Sequence, residues 1–294
     1  MAEKSVRHHY VPRFYLRQFA LEGGPKKVPS LERHRQEVVI SRKSVGSIGF
    51  EENLHDYHDG TAIDSIEASL NSTIESPFSQ SPTWRRIREG RCADLDKTDR
   101  LPLYGFARHL QLRNLETLRF IEQQRERFAA GELEDELTDE ERAMHEWLAA
   151  DPDAAHALFR SGAMETLLPS DASQINVMVC HSRVGMRTST NPAIRVSFPG
   201  IGSIHGPMFD TLRTWWLSLD KHWGAFIVLG GPPGFSSGPV DGDVIRVINR
   251  SYLTQFLEGG ARYLIAEDSY IAEDLRWAGF ERNGSSERFT RRLD

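Results

Sequence analysis

A chain of 294 residues, 39% hydrophobic and 27% charged, can bury a core large enough to hold itself together, which excludes a disordered chain or a disulfide framework. Its two cysteines, Cys92 and Cys180, form no CxxC pair that would build a thiolate zinc site. The net charge of −6 is uneven: residues 1–50 carry ten Lys and Arg against four Asp and Glu, +6, leaving −12 for the remainder.

The first informative stretch is Arg7-His8-His9-Tyr10-Val11-Pro12-Arg13-Phe14-Tyr15-Leu16. Pro12 suits the first turn of a short helix ending near Glu22-Gly23-Gly24-Pro25. Val28–Ile40 reads as a hairpin turning at His34-Arg35-Gln36, and 44–58 as an ordered loop. From Ala62 to Gly90, apolar residues at helical spacing (Ile63, Ile66, Leu70, Ile74) predict two helices divided near Pro77 or Pro82. A long helix is expected from about Asp96 to Ala130. A solvated acidic insertion over 131–155 follows, opened by the Thr138-x-x-Glu141 capping box, and then a helix over 153–168.

After Pro169 the texture changes to short branched runs. Strands are expected at 175–180, 193–196, 211–219, 225–229, 244–248 and 262–266, with helices at 249–257 and 269–278. The expected architecture is α+β, a helical N-terminal half packed on a mixed or antiparallel C-terminal sheet. It is read as one integrated domain over 1–294, with segments 1–60, 61–168 and 169–294. No apolar run approaches the roughly 20 residues needed to span a bilayer and no apolar leader is present, so a cytoplasmic protein without a membrane partner is expected.

Chemistry concentrates in a few residues. Adjacent His8 and His9 point in different directions, so one could hold a metal or phosphate while the other acts as a base near neutral pH; solvated or structural histidines are the plain alternative. The pair before Pro12 resembles the opening of a His-Me finger nuclease. The rest of that motif is missing, and His34 or Asn53 would have to return to the site through the fold. Asn53–Gly60 holds two histidines and two aspartates, which suits a metal loop or a polar turn. Glu67 and Glu75 lie about 12 Å apart along a helix, able to orient His8, His9 or Arg113. Arg113, near His109 and Gln111, offers a planar fork to a phosphate or carboxylate; the plain reading is an ion pair with Glu67 or Glu75. The turn Thr188-Ser189-Thr190-Asn191-Pro192 would present hydroxyl and amide groups at a strand end.

The string from His8 to Phe19 closely resembles the signature of a largely bacterial family, domain of unknown function 4238. The resemblance continues through Ile66-Glu67, Ile74-Glu75, Gln111-Leu112-Arg113 and the Thr188–Pro192 turn. It implies one integrated domain and no particular reaction. Where members tend to have Ser/Thr-Asp-Asn-Pro, this chain has Thr190 at the aspartate position; if that aspartate is a ligand or general base in relatives, the resemblance implies either a substitute here, such as Glu51 or Asp210, or reduced activity.

Together these features lead to the expectation of a phosphodiester hydrolase, nuclease-like, in a defence or toxin setting. His8, His9 and Arg113 would be catalytic, Arg13, Gln111, Thr190 and Asn191 would bind substrate, and Glu67 and Glu75 would support them. The cofactor is not fixed by the sequence, a divalent metal being the candidate, and the candidate partner is a nucleic acid or other phosphate-bearing ligand drawn to the basic N-terminal segment. The rival is a non-catalytic binding or regulatory protein with a structural His-His/Arg network.

Overall fold

Alternating apolar residues around an Arg35-Gln36 turn make the first hairpin, with Arg35 at φ 55° taking the left-handed conformation such a turn requires. The computed structural model describes residues 7–21, 26–59, 62–133, 137–165, 172–196, 213–230 and 232–292. The hairpin strands, β2 (Lys27–His34) and β3 (Glu37–Ser44), do not stand alone: they lie inside a six-stranded antiparallel sheet ordered β14-β15-β3-β2-β13-β8. Its other members are β8 (Thr188–Ser189), β13 (Tyr263–Ile265), β14 (Phe280–Arg282) and β15 (Arg288–Arg291). One sheet therefore joins the two ends of the chain.

A second sheet of five strands, ordered β12-β7-β11-β10-β9, is mixed. It comprises β7 (Ile175–His181), β9 (Ala193–Arg195), β10 (Arg213–Ser218), β11 (Trp223–Leu229) and β12 (Gly234–Pro239), and only the β12–β7 pair is parallel. Both faces are covered. Trp215 and Leu217 enter a core shared with Tyr15, Trp84, Phe106 and Leu110, while Trp216 and Phe226 enter a second core with Ile245, Tyr252 and Phe256. This period of two is what a strand buried on both sides produces. Gly224 is required here, since a Cβ on it would lie 2.2 Å from the Trp216 ring.

The α+β class holds, with the sheet content distributed differently from expectation. The first 65 residues are strand-rich: β1 (Arg7–His9) pairs with β4 (Phe50–Glu52), and β5 (Asp56–Asp59) with β6 (Ala62–Ser65), where a loop and the start of a helix were expected. The helix after Pro12 spans only Arg13–Leu16 plus a 3-10 turn. The predicted helix over 96–130 is two, Arg100–Leu112 and Leu115–Ala129, because Asn114 leaves helical geometry and its side chain accepts the Thr117 N–H as a new cap. Residues 244–248 are not a strand; they begin the helix Gly242–Glu258, capped by Asp241, which buries Ile245, Ile248, Tyr252, Leu253 and Phe256 at helical spacing. The Thr138–Glu141 capping box forms as read. Residues 22–25, 60, 134–136, 166–168 and 211–212, and Asp210, to which expectations were also attached, lie outside the described residues.

Candidate functional site

β1 pairs with β4 alone, and its alternation sends His8 and His9 to opposite sides of the β1–β4 ladder. Gly49, at φ +67°, lets the next turn approach: its carbonyl accepts the N–H groups of Tyr10 and Val11, and a Cβ there would stand 2.9 Å from Val11 Cβ. His8 is buried. Its ring stacks on His55 at 5.4 Å between centroids and 7° between planes, and its Nδ1 accepts the His55 backbone N–H at 3.0 Å. The proton of a neutral His8 is therefore on Nε2, which faces Asp56 Oδ1 at 3.7 Å.

His55, fully buried, holds Glu67 Oε2 at 2.7 Å through Nδ1, while its Nε2 has no hydrogen-bond partner among the described residues. His9 turns the other way, and its Nε2 accepts from Arg13 Nε at 3.1 Å. Burial, then the Arg13 charge, hold the His9 imidazole down at about 4, and burial lowers His55 and His109 as well. Burial pushes Glu67 up, but the His55 hydrogen bond and neighbouring positive groups outweigh it, and its pKa is lowered.

The break between the two central helices aims Arg113 at this cluster. At 0% exposure, its Nη2 donates to the His9 carbonyl and its Nη1 to Glu75 Oε1 and, at 2.9 Å, to His109 Nε2. Glu67 and Glu75 do not share a regular helix face as the spacing suggested. A π turn over Asn71–Glu75 separates them, so that one carboxylate meets His55 and the other Arg113. The five motif residues His8, His9, Glu67, Glu75 and Arg113 thus converge in one buried network, together with His55 and His109.

The remaining candidates lie elsewhere. Thr190 Oγ1 accepts the backbone N–H groups of Arg262 at 2.8 Å and Tyr263 at 3.0 Å, tying the turn to β13. Asn191 Oδ1 accepts from Asn114 Nδ2 at 2.9 Å, and Asn191 Nδ2 donates to Glu116. Gln111, Asn114, Glu116 and Asn191 all line an open groove of about 1140 Å³ between the Leu115–Ala129 and Gly242–Glu258 helices. Arg113 and Asn114, adjacent in sequence, consequently serve two places, the buried network and the groove wall. Glu51 ion-pairs with Arg262, and His34 is exposed beside Glu32; neither His34 nor the turn residue Asn53, at φ 58°, enters the network.

The sequence carries no signal for Glu116, which looks like any helix glutamate, and offers His55 only within a segment that suits a metal loop or a polar turn. Among the described residues no group of three or more His, Cys, Asp or Glu side chains is arranged to hold a metal ion. No helix of the described residues is long and apolar enough to cross a membrane. A family model described as "Protein of unknown function (DUF4238)" matches residues 7–182. No curated protein and no solved structure matches the chain.

Proposed function

The chain belongs to the DUF4238 family, and from that premise we propose that it is a non-catalytic binding or regulatory protein whose His-His/Arg113 network is a scaffold and whose ligand meets the open groove. One observation carries this reading: Arg113, without solvent exposure, commits both terminal nitrogens to Glu75, His109 and the His9 carbonyl. A guanidinium so engaged stabilises the join between β1 and the helices and offers no free fork to a phosphate. His9 is buried, engaged by Arg13 and held at about 4, which makes it a weak base at neutral pH. The two free buried thiols, Cys92 and Cys180, suit a reducing cytoplasm.

The test is incubation of the purified chain with single- and double-stranded DNA and RNA in Mg²⁺, Mn²⁺ or chelator, alongside the His8→Ala/His9→Ala variant. Intact substrate in every tube is expected. Cleavage by the wild type that disappears in a folded variant would sink the scaffold reading.

A second reading, phosphodiester hydrolysis at the same cluster, draws on His55. Its Nδ1 is held by Glu67 and its Nε2 is unpartnered among the described residues, the arrangement of a base oriented by a carboxylate. That reading moves the base from His9 to His55 and requires cleavage to vanish in His55→Ala.

A further inference from the structure

The groove has a composition that the scaffold reading leaves unused. Six large hydrophobic side chains are exposed among the described residues, and three of them, Phe120, Val247 and Trp277, line this one cavity. Exposed aromatics gathered in a concave site mark a place of contact. Phe120 and Trp277 are each 59% exposed; the Arg250 guanidinium lies 4.9 Å from the Trp277 ring centroid, so a planar partner would stack on Phe120 and on the face of Trp277 away from Arg250.

The charges around the rings are placed rather than scattered. The cavity of about 1140 Å³ continues into a neighbour of about 610 Å³, the two sharing Glu116, Phe120, Glu258 and Gly260. Five arginines line the pair: Arg195 and Arg250 in the first, Arg33, Arg119 and Arg262 in the second. Arg250 and Arg262 are paired with Asp274 and Glu51. Arg33, Arg119 and Arg195 form no ion pair with a carboxylate among the described residues; Arg33 and Arg119 each spend one nitrogen on a carbonyl at the end of the Gly242–Glu258 helix and keep the others.

On the floor, Glu116 forms no ion pair among the described residues; burial raises its pKa, opposed by the Gln255 hydrogen bond and the Arg119 charge. Its Oε2 accepts from the side-chain amides of Asn191 and Gln255, leaving Oε1 unbonded among the described residues. An acceptor held in place beside open aromatic faces suits the amino edge of a nucleobase, and arginines along the same groove suit the phosphates.

We propose that this groove binds single-stranded nucleic acid, with bases stacked on Phe120 and Trp277, an exocyclic amino group on Glu116 Oε1, and phosphates on Arg33, Arg119 and Arg195. The two joined cavities exceed what one small ligand fills and favour a strand over a mononucleotide. Duplex is disfavoured because its bases are already stacked on one another. The assignment rests on the non-catalytic reading and gives it a ligand.

The experiment is fluorescence anisotropy of a labelled 12-nucleotide single strand, its duplex and a mononucleotide competitor, with the full chain at about 50 and 200 mM salt. Wild type, Phe120→Ala, Phe120→Ala/Trp277→Ala and Arg119→Glu/Arg195→Glu are compared. Saturable binding of the strand is expected, at least about tenfold weaker for duplex and for the double aromatic variant, with Phe120→Ala alone, which leaves the Arg250 contact of Trp277 in place, weakened in the same direction. Neutralising three phosphates gives a slope of about −2 in log K against log salt, reduced in the arginine variant. No saturable binding, equal binding of duplex, or full binding by the aromatic variant overturns the assignment, the first leaving the groove to a polypeptide. Complete displacement by equimolar mononucleotide overturns the extended strand. The recovered strand is run on a gel: bound and cut overturns the non-catalytic reading and keeps the groove, whereas intact and unbound overturns the groove alone.

Discussion

Two arginines among the described residues, Arg113 and Arg187, are at 0% exposure, and they solve the same problem differently. Arg187 grips Asp268 through Nε and Nη2 at 2.6 and 2.8 Å, reaches Asp274 with Nη2 at 2.7 Å, and gives Nη1 to the Asn249 carbonyl at 3.3 Å. Arg250 joins Asp274 at 2.8 Å, so two cations face two aspartates whose side chains are 3% and 1% exposed. Around Arg113 there is one paired carboxylate, a carbonyl and a histidine held neutral, and its Nε has no partner among the described residues. The first network is charge-balanced and saturated; the second is held together by proton positions on imidazoles. Balanced ion pairs resist pH and fail when a partner is removed, whereas a histidine network fails when protons arrive.

The largest effect that would sharpen this contrast is Arg187→Met. It leaves Asp268 and Asp274, both nearly fully buried, without their main counter-charge, and a loss of about 3–5 kcal/mol is expected from equilibrium urea unfolding. Arg113→Met should cost less, about 2–3 kcal/mol, because Glu75 is 13% exposed and regains water. Equal losses would erase the distinction between the two networks.

Acid should separate them next. His9 is held at about 4, below its ordinary 6.5, and His55 and His109 are also lowered, burial leading in each case. The unfolded chain therefore takes these protons first: stability is complete above about pH 6.5 and falls as pH drops toward 4. Glu67, lowered as well, loses its contribution in the same direction as it becomes protonated. A drop in melting temperature of more than about 4 °C between pH 7 and 4.5 corresponds to roughly 1 kcal/mol or more in a chain of this size. His9→Gln keeps an acceptor for Arg13, removes one titration and should flatten the curve; an unchanged slope would clear His9 of the effect.

What could be read from the sequence follows from the range of the interactions. The N-terminal motif, the capping box at Thr138 and an Arg113 pair with Glu67 or Glu75 were legible, the last because a buried arginine must find a carboxylate and Glu75 stood in the adjoining helical segment. The split at Asn114 was hidden by apolar periodicity that continues through Leu115 and Leu118. Val244 and Ile248 suggested a strand because branched residues favour sheets, yet their spacing also fits a helix face, and tertiary burial decided. Arg187 carried no signal at all: its carboxylate partners lie 81 and 87 residues away. The groove is likewise a product of the fold, since Glu116 and Gln255 are ordinary helix residues until the two helices meet.

The smallest expected effect concerns the turn where this chain departs from the aspartate that the family resemblance implies. Thr190 Oγ1 accepts two backbone N–H groups, from Arg262 and Tyr263, and so fastens β13 beside the wall of the groove. Thr190→Val keeps the shape and removes the acceptor, leaving both donors short of a partner, and about 1–2 kcal/mol should be lost in urea unfolding. Thr190→Asp restores an acceptor able to take both N–H groups, so it should fall within about 1 kcal/mol of wild type despite the added charge. If Val is harmless and Asp is not, the hydroxyl is not what holds the turn. If Val destabilises and Asp does not, threonine and aspartate do the same work at this position, and the missing carboxylate is no sign of a disabled catalyst.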